Sequence, residues 1–259
     1  MTRKINLNAD MGEGFGAYDI GNDDGLMHII KSANIACGFH AGDPDVMHRN
    51  VMAAKKHGVS IGAHPGFNDL WGFGRRKIEM SLSALEHAIT YQIGALQAIA
   101  AYSSLKVTHL KAHGALSNMA AVDTDMALAI GRAIKIAGPD IIYVALAGSQ
   151  MEAVAKELGL NLAREGFADR QYDDDGNLAS RKLDGSVYKD PEVALKQVLR
   201  MVEAGEIVSR SGKIIPCRID TICVHGDEPT SLKVAQHVRN GLEKAGVEVV
   251  PLTEMDLGP

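Results

Sequence analysis

Cysteine is scarce in this chain: Cys37, Cys217 and Cys223 are the only three in 259 residues. An odd count without a secretion signal argues against a disulfide-stapled extracellular scaffold and points to a reducing cytoplasm. Long apolar runs are missing too. The most apolar stretch, 82–102, carries Glu86, His87, Gln92 and Gln97, which rules against a membrane span. The opening MTRKINLNAD has two basic residues but no apolar segment behind them, so no signal peptide is expected. Positive charge is not in excess either: 27 Lys and Arg against 32 Asp and Glu give a formal charge of −5. That balance argues against nucleic acid or an anionic membrane as the main partner, because both reward a basic surface. Two nucleotide signatures also fail. GEGFG (12–16) is wrongly spaced for a dinucleotide fingerprint, and Asp23 and Asp24 follow it too soon. No G-x-x-x-x-G-K-[ST] occurs, so the chain has no phosphate loop of its own.

What is present is a regular alternation. The hydrophobic fraction of 46% is enough for a large core, and this length suits one α/β barrel, so a single domain over 1–259 is expected. Strand patterns fall at 4–10, 32–38, 60–65, 108–114, 140–148, 161–167, 221–227 and 247–252. Amphipathic patterns separate most of them. In 81–104, Leu82, Leu85, Ile89, Ile93 and Leu96 recur at helical steps, and Ser83 with Glu86 reads as a capping box. Asp43-Pro44 and Asp190-Pro191 each place a cap before a first-turn proline. Gly58, Gly138, Gly159, Gly205 and Gly246 each stop a helical pattern. Repeated strand–helix units predict parallel strands, in a doubly wound sheet or a closed barrel. Residues 168–190 form a long polar segment, which in a compact domain is functional or disordered. Residues 207–217 read as a hairpin around Ser211-Gly212.

The polar residues repeat with the strands. Asp10 precedes Gly12, with Glu13 next to it; His40, His64, His113 and His225 each end a strand pattern beside a glycine. In parallel α/β folds, ligand and catalytic groups collect at the carboxyl ends of the strands. Parity groups Asn6, Asn8 and Asp10 on one face, and likewise Asn34 with His40, His109 with Lys111 and His113, and Thr221 with Cys223, His225 and Asp227. That pattern suits a barrel with a partly polar interior. His28, His48, His57, His87 and His237 lie in helical patterns and read as structural or surface residues. Cys37 has the opposite parity to His40 and reads as core. Asp10, His40, His64, His113 and His225 are suitable ligands for a divalent metal. The same residue types also serve metal-free acid–base catalysis, with Lys111 and Arg170 available for an anionic group. Both chemistries stay open at this point.

NADMGEGFG, SANIACGFHAGDP, GAHPGFNDLWGFGRR, HLKAHGAL, EGFADRQYDDDGNL and CVHGDEP, in this order, resemble the LamB/YcsF family across nearly the whole chain. The resemblance implies an irregular (β/α) barrel of about seven parallel strands, related to polysaccharide-deacetylase barrels. It implies a part in an ATP-driven 5-oxoprolinase, which opens the lactam of 5-oxo-L-proline to L-glutamate together with two further subunits, B and C. On the matching motifs, Asp10 and His113 become acid–base candidates, and Lys111 and Arg170 hold carboxylate or phosphoryl oxygens. Glu13, His40, Asp43, His64, Glu165, Asp169, His225 and Asp227 complete the pocket. Ala112, Ser117 and Asn68 depart from the family's usual proline, tyrosine and proline. Two rival classes are a metal-dependent amidase or deacetylase acting alone, and a binding component without catalytic activity.

Overall fold

The computed structural model describes residues 3–226 and 230–257. Six strands alternate with helices: β1 (Arg3–Met11), α1 (Asp23–Met27), β2 (Ser32–Ala36), α2 (Pro44–His57), β3 (Ser60–His64), α3 (Leu82–Ala101), β4 (Val107–Lys111), α4 (Gly114–Ala120), α5 (Thr124–Ala137), β5 (Ile142–Leu146), α6 (Gln150–Glu157) and β6 (Leu162–Phe167). Then come α7 (Pro191–Ala204), β7 (Glu206–Val208), β8 (Ile214–Pro216), β9 (Thr221–Cys223), α8 (Ser231–Lys244) and β10 (Val247–Val249). Strands β1 to β6 pair in sequence order, and β9 closes the ring by pairing with both β6 and β1. The result is a closed seven-stranded parallel barrel, as the family resemblance implied. β10 adds to β1 through Arg3–Ile5, just before the stretch Asn6–Asn8 that pairs with β9. β7 and β8 form the expected antiparallel hairpin.

The main core lies between the barrel wall and the helices. Leu7, Ala9 and Met11 of β1, Ile35, Ile61 and Leu110 meet Val51, Ile89, Leu96, Ile130, Val198 and Val238 from the helices, all buried. Each fully buried Leu, Ile or Val contributes about 1.5–3 kcal/mol. Among the described residues, no helix is long and apolar enough to cross a membrane.

The helix ends follow the local chemistry with one correction. Asp43 and Asp190 cap α2 and α7, each with proline in the first turn. Gly58 and Gly205 close the same two helices in the left-handed region, at φ 64° and 67°. The Ser83–Glu86 box does not form. Ser81 caps α3 by accepting from Ala84 N, and Glu86 pairs instead with Arg132 at 2.8 Å. Starting at the earlier serine lengthens the helix and leaves Ser83 inside the first turn, where a hydroxyl cannot cap. The strand patterns also overran: β9 stops at Cys223 and β5 at Leu146, because the residues beyond them turn out onto the rim.

Candidate functional site

Alternation along β1 sends Asn6, Asn8 and Asp10 into the barrel, while Leu7, Ala9 and Met11 pack under the helices. Inside, the side chains link neighbouring strands. Thr221 Oγ1 donates to Asn6 Oδ1 at 2.7 Å, and Asn6 Nδ2 donates to Ser32 Oγ at 2.9 Å. Asn8 Nδ2 donates to Glu165 Oε1 at 3.1 Å and Thr221 Oγ1 at 2.8 Å. Asn34 Nδ2 donates to Asn8 Oδ1 at 2.8 Å and to Asp10 Oδ1 at 2.9 Å. His109 Nε2 donates to Asn34 Oδ1 at 3.1 Å; burial first, then the Lys111 charge, lowers its pKa to about 3 and keeps it neutral. A buried polar network of this kind is tolerable only because its members satisfy one another. On β5 the interior positions are apolar: Ile142 and Val144 pack with Ala163 and Leu252.

Lys111, at the end of β4, is the cation of this interior. Its Nζ lies 2.9 Å from both Asp10 Oδ1 and Glu165 Oε1, 3.1 Å from Cys223 Sγ and 5.2 Å from the Phe167 ring centre. Burial works against its charge, but Asp10 above all, with Glu165, outweighs it and holds its pKa well above the ordinary value. Asp10 is the mirror image: burial opposes ionisation, yet His64 and Lys111 hold it well below the usual carboxylate range. Glu165 and Cys223 go the other way, both raised by burial that their Lys111 contact does not offset. Cys223 is therefore a thiol and a poor nucleophile. Asp10 keeps 19% of its side chain exposed and so faces the mouth.

Three histidines and Glu13 stand around Asp10. His64 Nδ1 donates to the Lys111 carbonyl at 2.8 Å; its Nε2 lies 3.3 Å from Asp10 Oδ2 and 3.0 Å from His113 Nδ1. His113 Nε2 donates to the Phe73 carbonyl at 2.8 Å. Phe73 reaches that position with a left-handed backbone, φ 54°, a strain typical of functional sites. His40 pairs with Glu13 Oε1 at 3.2 Å and stacks on His113, ring centres 3.7 Å apart and 7° from parallel. Gly74 makes room for that stack: a Cβ there would stand 2.7 Å from His40 Cβ and 2.8 Å from His113 Cδ2. Burial depresses His40 and His113 well below the ordinary imidazole value, so both are neutral. Burial pulls His64 the same way, but the Asp10 charge and hydrogen bond reverse it and raise its pKa. Burial raises Glu13. Donor atoms of Glu13, His40, His64 and His113 lie within 4.8 Å of one another, and so do those of Asp10, Cys223 and His225. Both sets have ligand types that fit a divalent transition metal.

The polar segment 168–190 is an ordered strap at the rim. Tyr172 is fully buried and its hydroxyl accepts from Phe167 N at 2.7 Å; Gln171 N bonds Ser186 O and Tyr188 N bonds Asp169 O. Asp169 grips His225 Nδ1 at 2.9 Å, and Arg181 approaches His225 Nε2 at 3.2 Å. Burial opposes charge on both members of the Asp169–His225 pair, yet their attraction lowers Asp169 and raises His225.

Of the residues singled out in the sequence, Asp10, Glu13, His40, His64, Lys111, His113 and Glu165 come together in one cluster, and Asp169 with His225 forms a second pair beside Asp10. Asp43 does not join them: its carboxylate caps α2 through Asp45 N and Val46 N and binds Gly16 N. Arg170 turns inward, donating to Ala179 O at 2.5 Å. Asp227 lies outside the described residues. Cys37 is buried, its thiol pushed up to about 12, and donates to Ile35 O at 3.2 Å. Ala112 is buried, Ser117 half-buried in α4 and Asn68 exposed. Arg181 and the Phe73 carbonyl were missed. Nothing in composition marks one arginine of a polar strap, and a backbone oxygen leaves no trace in a sequence.

The LamB/YcsF family matches residues 5–257. A protein of Rhodopseudomonas palustris, named as the A component of 5-oxoprolinase, is 54% identical over 96% of this chain and 98% of its own length. One of Gluconobacter oxydans with the same name is 49% identical over 98% of this chain and all of its own. The crystal structure of a lactam utilization protein from Thermus thermophilus superposes with a TM-score of 0.90 at 43% identity, over 95% of this chain and 99% of that one. A deacetylase solved with its substrate has a TM-score of 0.51 at 17% identity, over 100% and 94%. That last likeness concerns the fold alone.

Proposed function

This chain belongs to the LamB/YcsF family, and from that premise we propose that it is the A component of an ATP-dependent 5-oxoprolinase, converting 5-oxo-L-proline to L-glutamate. The observation that carries the reading is the full-length identity of 54% to a protein so named. The open-mouthed charged cluster at the rim of the barrel supports it. We further propose that the whole chain acts as one barrel domain, in the cytoplasm, with subunits B and C. Three free cysteines accord with a reducing compartment.

A lactam is a resonance-stabilised amide, so opening it needs an activated carbonyl oxygen, a directed water and stabilisation of developing charge. In the proposed sequence, ATP transfers its γ-phosphoryl group to the lactam oxygen and ADP leaves. Water adds to the activated carbon and gives its proton to Asp10. The C–N bond breaks as the ring nitrogen takes a proton, leaving the side-chain carboxyl phosphorylated. A second water then releases phosphate and glutamate. Asp10 suits the water because it is ionised and faces the mouth. Lys111 and Glu165 fix its position. His113 stays neutral, with Nε2 committed to the Phe73 carbonyl and Nδ1 turned toward His64 and Glu13. Arg181, 3.2 Å from His225 Nε2, and Arg75, 5.0 Å from the Phe73 ring centre, are cations near the rim for carboxylate or phosphoryl oxygens. With no phosphate loop in this chain, subunits B and C bind much of the ATP.

The test is glutamate formation from 5-oxoproline in extract of cells that lack this chain but hold the other two subunits, before and after adding it back. Restoration only with ATP supports the reading. Glutamate formed by the chain alone without ATP would favour the amidase class instead.

A further inference from the structure

His64 and His113 face each other through nitrogens that cannot both be bare. His64 commits its Nδ1 hydrogen to the Lys111 carbonyl, and His113 commits its Nε2 hydrogen to the Phe73 carbonyl, each at 2.8 Å. A carbonyl only accepts, so when both rings are neutral the remaining nitrogens carry lone pairs. Those nitrogens, His64 Nε2 and His113 Nδ1, are 3.0 Å apart. Two lone pairs at that distance repel, so either a proton or a metal ion sits between them. The rings cross at 88°, so the lone pairs converge from two directions. Glu13 Oε1 completes the corner, 3.3 Å from His113 Nδ1 and 4.0 Å from His64 Nε2.

We propose that Glu13, His64 and His113 hold a divalent transition-metal ion of the zinc type, with its fourth position open toward the mouth of the barrel. Two imidazoles and one carboxylate suit that ion, and three protein ligands with one open position is the arrangement of catalytic sites. Bonds of about 2.0–2.2 Å place tetrahedral ligand atoms about 3.3–3.6 Å apart, close to the separations of 3.0 and 3.3 Å found here. A small turn of the Glu13 carboxylate closes the remaining 4.0 Å gap. The carbonyls behind each imidazole are the outer partners that orient metal-binding histidines. His40, stacked on His113 and 3.2 Å from Glu13 Oε1, holds the carboxylate in place. Asp10 Oδ2, 3.3 Å from His64 Nε2, adds a second negative charge. When bound, such an ion polarises a carbonyl and acidifies a water. The site rests on ligand geometry and not on the lactam reading, so the two can fail separately.

The experiment strips the full-length chain with a chelator, dialyses it against zinc or cobalt, and measures bound metal by elemental analysis. The visible spectrum of the cobalt form is recorded alongside. The expected result is one ion per chain, a tetrahedral-type cobalt spectrum, and a melting temperature raised by metal. Glu13→Gln and His113→Ala should weaken binding at least tenfold, and His225→Gln should leave it in place. If His113→Ala does not fold, Glu13→Gln alone decides. No bound metal would overturn the proposal and leave a proton between the two histidines. Binding lost in His225→Gln but kept in Glu13→Gln would overturn it too, by moving the ion to Asp10, Cys223 and His225.

Discussion

At the scale of single residues, Gly62 shows how tightly the interior is built. It sits on β3 opposite His109, and a Cβ there would run into the His109 ring. Gly62→Ala should push His109 off Asn34 and cost about 1–3 kcal/mol, read as a lower urea midpoint; an unchanged midpoint would mean the ring has room to move. A strand glycine can signal such a close approach, but the sequence does not say which ring approaches. The Asp169–His225 pair makes a pH prediction. Asp169 is lowered, so its contribution is present above the ordinary carboxylate pKa near ~3.9 and is lost as pH falls through its folded value. His225 is raised, so its contribution is complete below ~6.5 and is lost as pH rises through its folded value. Asp169→Asn should therefore cost most, about 1.5–3 kcal/mol, between roughly pH 4 and 6.5, with the difference shrinking in alkali. Melting curves of both proteins across pH check this; a cost that does not vary with pH would contradict it.

At the scale of elements, caps and periodicity were legible and competing signals were not. Asp43 illustrates both. Its place before Pro44 read correctly as a helix cap, yet the same residue also entered the implied pocket. The carboxylate is fully used by Asp45 N, Val46 N and Gly16 N. Asp43→Ala should cost about 1 kcal/mol of stability, and Asp43→Asn or Asp43→Ser should recover most of it. A loss recovered by neither would show that the charge matters beyond the cap. In α3, Ser83 with Glu86 matched the cap pattern better than Ser81, but the chain already turns helical at Leu82. The strap 168–190 was recognisable as unusual from its polarity and length. Its order was not, because it comes from the burial of Tyr172 and from backbone bonds to distant residues.

At the scale of the whole molecule, repeated strand–helix units were enough to predict parallel strands but not to choose between an open sheet and a barrel, which the family resemblance did. Strand parity was enough to predict a polar interior. Closure of the ring by β9 was not legible, since it depends on pairing between β9 and both β1 and β6. Nor was the split of the rim into a Glu13–His40–His64–His113 cluster and an Asp169–His225 pair. Spacing along a sequence gives no angles between strands. In the proposed reaction, Asp10, ionised between Lys111 and His64 at the mouth, drives ATP-dependent opening of the lactam. The most direct measurement is the rate of glutamate and phosphate release by the assembled three-subunit complex, with wild-type chain and with Asp10→Asn. The expected result is equimolar glutamate and phosphate from the wild type, and a rate lower by about 10²–10⁴-fold from a folded Asp10→Asn chain. An Asp10→Asn complex that matches the wild type would contradict it.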